Sequence, residues 1–261
     1  MPRYAFKIEY DGQPFAGWQR QRGQMSVQQA FEEAIGGIDD SFPKATAAGR
    51  TDSGVHANGQ VAHCDLQKEW DPFRLAEALN AHLRPRRISV LKAARVANDF
   101  NSRISAIRRR YVYRLVSRRA PLTYQKGLAW QVSYPLDAEK MRAAAGFLLG
   151  HHDFTTFRSA HCQSESPVKT LDDFKIEEIL LPDGTEFLFT AEARSFMHRQ
   201  IRSMVGSIER VGAGAWKPEQ IRMALDARDR QACGPVAPPQ GLYFDRVIYD
   251  PDPFRNLDTA T

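Results

Sequence analysis

Cysteine is scarce in this chain. Cys64, Cys162 and Cys233 are odd in number and far apart, and none forms a Cys-x-x-Cys pair. Neither a disulfide framework nor a zinc site is indicated, which fits a reducing cytoplasm. No apolar run approaches the length of a membrane span, so no membrane attachment is expected. The chain reads as a strand from its fourth residue, so no signal peptide is expected. Acidic residues are missing altogether from Phe100 to Leu136, a window that holds Arg103, Arg108, Arg109, Arg110, Arg114, Arg118, Arg119 and Lys126. The whole chain has 36 Lys and Arg against 31 Asp and Glu, a net charge of +5. The clustering therefore says more than the total. A local excess of cations is the footprint of a polyanion site, although it also serves as a solvated face. Tyr111, Tyr113 and Tyr124 interleave with the arginines, which favours RNA because bases stack on aromatic faces.

What is present supports a globular α+β protein. At 261 residues and 43% hydrophobic content there is material for one large domain or two modest ones. Tyr4, Phe6, Ile8 and Tyr10 alternate with polar residues as a half-buried strand. Ser26 and Gln29 form a capping-box pattern before a helix carrying Val27, Ala30, Phe31, Ala34, Ile35 and Ile38, closed by Gly36-Gly37. Pro72 starts a second helix with Phe73, Ala76, Leu79 and Leu83 inward, and Ile88 to Val96 is a strand. With a hairpin in the middle, the order is strand, helix, strand, strand, helix, strand. It then repeats: a strand over 109–116, a helix capped by Asp137 and closed by Gly150, two strands about Pro182-Asp183-Gly184, a helix over 196–211, another from Pro218, and a strand over 241–250. Each half matches the ferredoxin-like βαββαβ plan. The division is residues 1–105, 106–255 and an irregular tail, 256–261.

One stretch draws attention for its chemistry: Gly49-Arg50-Thr51-Asp52-Ser53-Gly54-Val55-His56-Ala57. Its glycines suit a tight loop between paired strands, and it places Asp52 between a guanidinium at Arg50 and an imidazole at His56. A cation beside a carboxylate favours its ionised form. The commoner role for Asp in such a place is to form the turn itself. His151-His152-Asp153 offers metal-ligand types, but adjacent residues point in different directions, so a structural turn after Gly150 is the preferred reading. Trp18, Gln19 and Arg20 stand in an irregular segment open to RNA contact or, for Trp18, to the core.

The Asp52 stretch resembles the catalytic motif of the tRNA pseudouridine synthase A family. So do five further motifs in order: Glu9-Tyr10-Asp11-Gly12 with Phe15-x-Gly17-Trp18-Gln19; Arg110-Tyr111-x-Tyr113; Gly150 to Phe154; Ser195-Phe196-Met197 through Arg202-x-Met204-Val205-Gly206; and Ala237-Pro238-Pro239-x-Gly241-Leu242-Tyr243. Ile104, Met197 and Ile201 depart from the family pattern at packing positions. The resemblance implies two ferredoxin-like subdomains joined through an extended antiparallel sheet, with the active cleft between them. It implies an isomerase that converts uridine to pseudouridine in the anticodon stem-loop of tRNA, working as a cytoplasmic homodimer with one tRNA touching both subunits and needing no cofactor or metal. By the same resemblance Asp52 is the nucleophile, Tyr111 stacks on the target uracil, and Arg202 partners the Asp52 carboxylate, with Arg50 a second candidate for that role. Arg108 and Arg110 are then among the residues that hold tRNA phosphate.

Overall fold

The structure is a computed structural model that describes residues 1–160 and 162–255. The tail read at 256–261 lies outside the described residues. Two compact units are formed: Met1–Arg109 together with the segment from Phe244, and Arg110–Tyr243.

The first unit runs β1 (Arg3–Tyr10), α1 (Val27–Gly36), β2 (Thr46–Ala47), β3 (His56–Asp65), α2 (Pro72–Leu83), β4 (Ile88–Val96). β1 is the central partner, antiparallel to β3 on one side and β4 on the other, and the short β2 lies antiparallel on β3. The alternation of β1 sends Tyr4, Phe6 and Ile8 into a fully buried core, where Phe6 meets Phe31 of α1 edge-on at 5.3 Å. Ser26 caps α1 by accepting the Gln29 N–H at 3.2 Å. The reciprocal half of the capping box does not form, because the Gln29 amide donates to Glu33 instead. Asp71 and Pro72 start α2, which buries Leu75, Ala76, Leu79 and Leu83. Phe73, expected inward, is 74% exposed. It stands two residues from Leu75, which is about 200° around a helix and on the opposite face.

The second unit runs β5 (Arg108–Ser117, its first two residues in the first unit), β6 (Trp130–Val132), α3 (Ala138–Gly146), β7 (Gly150–Asp153), β8 (Val168–Leu181), β9 (Gly184–Ala193), α4 (Gln200–Gly212) and α5 (Glu219–Ala227). Its strands lie in the order β5-β9-β8-β7, with β6 parallel beside β5. β8 and β9 form a hairpin that closes at the Leu181–Gly184 pair. α3 stops at Gly146 rather than at Gly150, which opens β7 at φ +98. The expected turn at His151-His152-Asp153 is therefore an edge strand on β8. Its side chains go separate ways: His151 to the Thr170 hydroxyl at 3.0 Å, His152 to the Leu149 carbonyl at 2.7 Å, and Asp153 to the Thr155 N–H at 2.8 Å. α4 begins four residues later than its apolar stripe suggests. Arg199 takes a left-handed conformation ahead of it (φ 62), and the Gln200 side chain accepts the Met197 N–H at 2.9 Å. The last strand, β10 (Leu242–Ile248), runs beside β3 in the first unit, whereas reading in sequence order leaves it with the second half.

Candidate active site

The Asp52 stretch leaves β2 at Ala48 and enters β3 at His56. Its backbone is fixed at both ends and in the middle. The Ala48 N–H donates to Val61 O at 2.8 Å, the Trp18 N–H donates to Thr51 O at 3.0 Å, and the Val55 N–H closes a turn on Asp52 O at 3.2 Å. The third residue of that turn, Gly54, has φ +77, which glycine adopts without penalty. Asp52 itself is half-buried, and Arg50 beside it is exposed.

The segment after β1 braces the loop from outside. Gly17 sits at φ +87, so close that a Cβ there would lie 2.5 Å from Thr51 O and 2.9 Å from the Asp52 carbonyl carbon. A Cβ on Gly12 would lie 2.1 Å from Val55 O. Only glycine allows two backbones this close. Tyr10 supports the loop from beneath through its hydroxyl, 2.8 Å from Thr51 Oγ1. Burial pushes the Tyr10 phenol up to about 12, against the opposing hydrogen bonds of Thr51 and Gln60, so it stays neutral across the working pH range. Trp18 is 2% exposed, packed beside Tyr10, and belongs to the core. Gln19 donates to Gln28 at 2.8 Å and Arg20 pairs with Glu32 at 3.2 Å, both on α1. Gly12 and Gly17 belong to the first of the sequence motifs, and the close approaches they permit brace the Asp52 loop.

His56 is 2% exposed. Its Nδ1 accepts the Gly12 N–H at 3.1 Å and lies 3.2 Å from Asp11 Oδ1. The neutral ring serves Gly12 with its lone pair, and the protonated ring pairs with Asp11. Asp11 also holds Arg87 at 2.5 Å. Partial burial acts to raise the Asp11 carboxyl, but the Gln13 N–H, Arg87 and His56 together hold it below its ordinary value. A depressed carboxyl contributes stability that is present in full above its unfolded pKa of about 3.9 and is lost as the pH falls through the folded value. Asp11→Asn is therefore expected to lower the melting temperature at pH 7. The gap to the parent should close as pH falls below about 4; a gap that stays constant down to acid pH would remove Asp11 from this role.

In the second unit Tyr111 is 8% exposed and meets Phe196 edge-on at 5.2 Å. Tyr113 is fully buried and donates to Pro238 O at 2.7 Å. Arg202 Nε donates to Ala237 O at 2.8 Å, and the Ala237 N–H answers on Arg202 O at 3.0 Å. The Ala237-Pro238 motif thus ties α4 and β5 by backbone atoms. The acid-free window is not acid-free in space. Glu192 and Glu186 of β9 pair with Arg110 and Arg114, and Asp183 at the hairpin turn lies 3.2 Å from Arg118. Arg108, Arg119, Tyr124 and Lys126 are exposed. Among the described residues no group of three or more His, Cys, Asp or Glu is placed to hold a metal ion, and no helix is long and apolar enough to cross a membrane.

Removing Arg108 and Arg110 together is expected to flatten the salt dependence of tRNA binding, each lost phosphate contact lowering the log–log slope by about one. Arg110→Ala should also lower the melting temperature, because the 6%-exposed Glu192 loses one of its cationic neighbours. A slope unchanged in the double variant would move the binding surface elsewhere.

A family model described as tRNA pseudouridine synthase matches residues 7–103 and 144–250. Among curated relatives, tRNA pseudouridine synthase A of Dinoroseobacter shibae is 62% identical over 255 residues, covering 98% of this chain and 99% of the relative. The protein of the same name from Cereibacter sphaeroides strain KD131 is 61% identical over 254 residues, covering 97% and 100%. That of Paracoccus denitrificans is 60% identical over 259 residues, covering 98% and 99%. With both units matched and near full-length identity at this level, the chain belongs to the tRNA pseudouridine synthase family.

Proposed function

We propose that this chain isomerises uridine to pseudouridine in the anticodon stem-loop of tRNA, with Asp52 as the catalytic carboxylate. The observation that carries the reading is the brace around Asp52: one exposed-to-half-buried turn clamped by two close backbone approaches within a chain that matches the family across both units. The reaction breaks the bond from ribose C1′ to uracil N1, turns the base, and joins C1′ to C5. N1 gains a proton and C5 loses one, so no atom is gained and no redox partner is required. A held carboxylate serves this chemistry by attack at C1′, by attack at C6, or by taking a ribose proton, and the first of these has its parallel in glycoside hydrolysis.

In this reading Tyr111 stacks on the uracil taken out of the helix, replacing the stacking that the base loses. Arg202 and Arg50 are the candidates to steady the Asp52 carboxylate, since a guanidinium fork matches a carboxylate. Arg108 and Arg110 hold phosphate. The protein works in the cytoplasm as a homodimer, without cofactor or metal. A retaining nucleoside glycosidase would need a second carboxylate to protonate its leaving group, and a non-catalytic RNA-binding module would have no use for a braced Asp. Digesting treated tRNA to nucleosides and separating them by reversed-phase chromatography tests the reading. A pseudouridine peak that grows as uridine falls supports it. Free uracil would mean a glycosidase, and unaltered nucleosides a binding module.

A further inference from the structure

The short arm that leads into the Asp52 loop is held in an unusual way. β2 is two residues long and pairs with β3. Around it, side chains from four other places hold successive backbone carbonyls of the arm. Gln28 Nε2 donates to Ala45 O at 3.2 Å, Ser102 Oγ to Thr46 O at 2.7 Å, and Gln60 Nε2 to Gly49 O at 2.8 Å. Ala48 O, the last carbonyl before the motif begins, receives Arg109 twice, from Nη2 at 3.0 Å and from Nε at 3.3 Å. The same guanidinium also donates to the carbonyls of Arg103 and Ala106. Buried backbone acceptors need partners, and here one cation serves three.

Arg109 is 7% exposed, although it stands in the middle of the basic window. Its donors are committed to protein carbonyls inside the first unit, and Ala48 lies four residues before Asp52. Ser102, fully buried, repeats the arrangement two residues earlier on Thr46 and is itself fixed by His63, 2.9 Å from its hydroxyl. We infer that Arg109 is a positioning residue: its guanidinium fixes the entry to the Asp52 loop and acts on turnover through that loop, not by holding tRNA phosphate. The inference rests on the reading of Asp52 as the catalytic carboxylate.

The test compares the full-length parent with Arg109→Gln, Arg109→Lys, Ser102→Ala and Asp52→Asn. Each is measured for melting temperature, tRNA affinity against salt, and single-turnover rate with tRNA saturating. A small misplacement of a reacting group costs up to about 100-fold in rate. Arg109→Gln is therefore expected to lose on that order at saturation, with affinity and salt slope close to the parent's. Arg109→Lys should fall between, because an ammonium keeps the charge but cannot span several carbonyls as the fork does. Ser102→Ala should lower the rate less, again without moving affinity. Should Arg109→Gln not fold, Arg109→Lys and Ser102→Ala decide by the same readings. A salt slope lowered by about one with the saturated rate kept would make Arg109 a phosphate contact and overturn the inference. So would a lower melting temperature with the parent's rate, which marks a purely structural residue. If Asp52→Asn keeps its turnover, the catalytic reading itself falls. If Asp52→Asn is dead while Arg109→Gln runs at the parent's rate, only the positioning role is lost.

Discussion

Asp52→Asn is expected to bind tRNA as the parent does and to turn over roughly 10,000-fold more slowly or worse, the scale seen when a residue that performs the chemistry is removed. The fold should survive because three of the contacts that hold the loop are made by backbone atoms, which the substitution leaves in place. The Trp18 N–H to Thr51 O bond, the Val55 N–H to Asp52 O turn and the Gly17 approach are all backbone. Asn is close to Asp in shape and is itself a favoured turn residue. What it lacks is the negative charge, and with it any ability to form a bond to carbon or to take a proton. Affinity should be unchanged for the same reason: a carboxylate contributes nothing favourable to holding phosphate. The comparison is single-turnover rate beside tRNA affinity, with the melting temperature as the check on folding. A rate within tenfold of the parent would return Asp52 to the ordinary role of a turn-former.

Gly17→Ala tests the brace. A residue other than glycine at φ +87 costs about 1–2 kcal/mol from its own backbone. In addition, the new methyl would stand 2.5 Å from Thr51 O, 2.9 Å from the Asp52 carbonyl carbon and 3.0 Å from Ser53 N. These are backbone atoms of the motif and cannot swing aside as a side chain would. Either the segment after β1 lifts away or the Asp52 turn shifts, and both change where the carboxylate sits. A rate loss of about 100-fold with tRNA saturating is expected, together with a lower melting temperature. Gly23→Ala is the control. Gly23 also has positive φ, +79, but nothing lies within 4 Å of its would-be Cβ. It should lose some stability and keep its rate. If Gly17→Ala turns over like Gly23→Ala, the close approach does not position Asp52.

Much of the fold can be read from the chain because its local signals agree with its packing. The alternation of Tyr4, Phe6, Ile8 and Tyr10 becomes β1, and the Asp71-Pro72 start becomes the start of α2. The α+β character follows from such segments taken together. Misreadings arise where a distant partner decides. Phe73 looks like a core residue by type, yet the buried stripe of α2 passes through Leu75. The apolar residues before α4 suggest a helix from Phe196, but the left-handed Arg199 and the Gln200 cap on Met197 delay it. His151 and His152 look like a turn until β8 is there to pair with them. Nothing in the residues of β10 says that it returns to β3.

The site was legible in the same uneven way. Asp52 and its loop stand out by motif. The acid-free window from Phe100 to Leu136 suggests uniform exposure of its cations, but Glu186 and Glu192 arrive from β9, some 70 to 80 residues on, and Arg109 turns inward. Charge counted along a chain does not show where each charge is paired. The roles of Gly12 and Gly17 were hidden for a related reason. A glycine that permits close approach is visible only when the other backbone is in view.

The most direct measurement is tritium release from tRNA carrying uridine labelled with tritium at C5. Joining C1′ to C5 expels that hydrogen, and neither hydrolysis of the glycosidic bond nor simple binding does so. The protein alone, with no added cofactor or metal, is expected to release tritium to water in step with the loss of uridine from the anticodon stem-loop. Tight tRNA binding with no release above background, or loss of uracil without release, would contradict it.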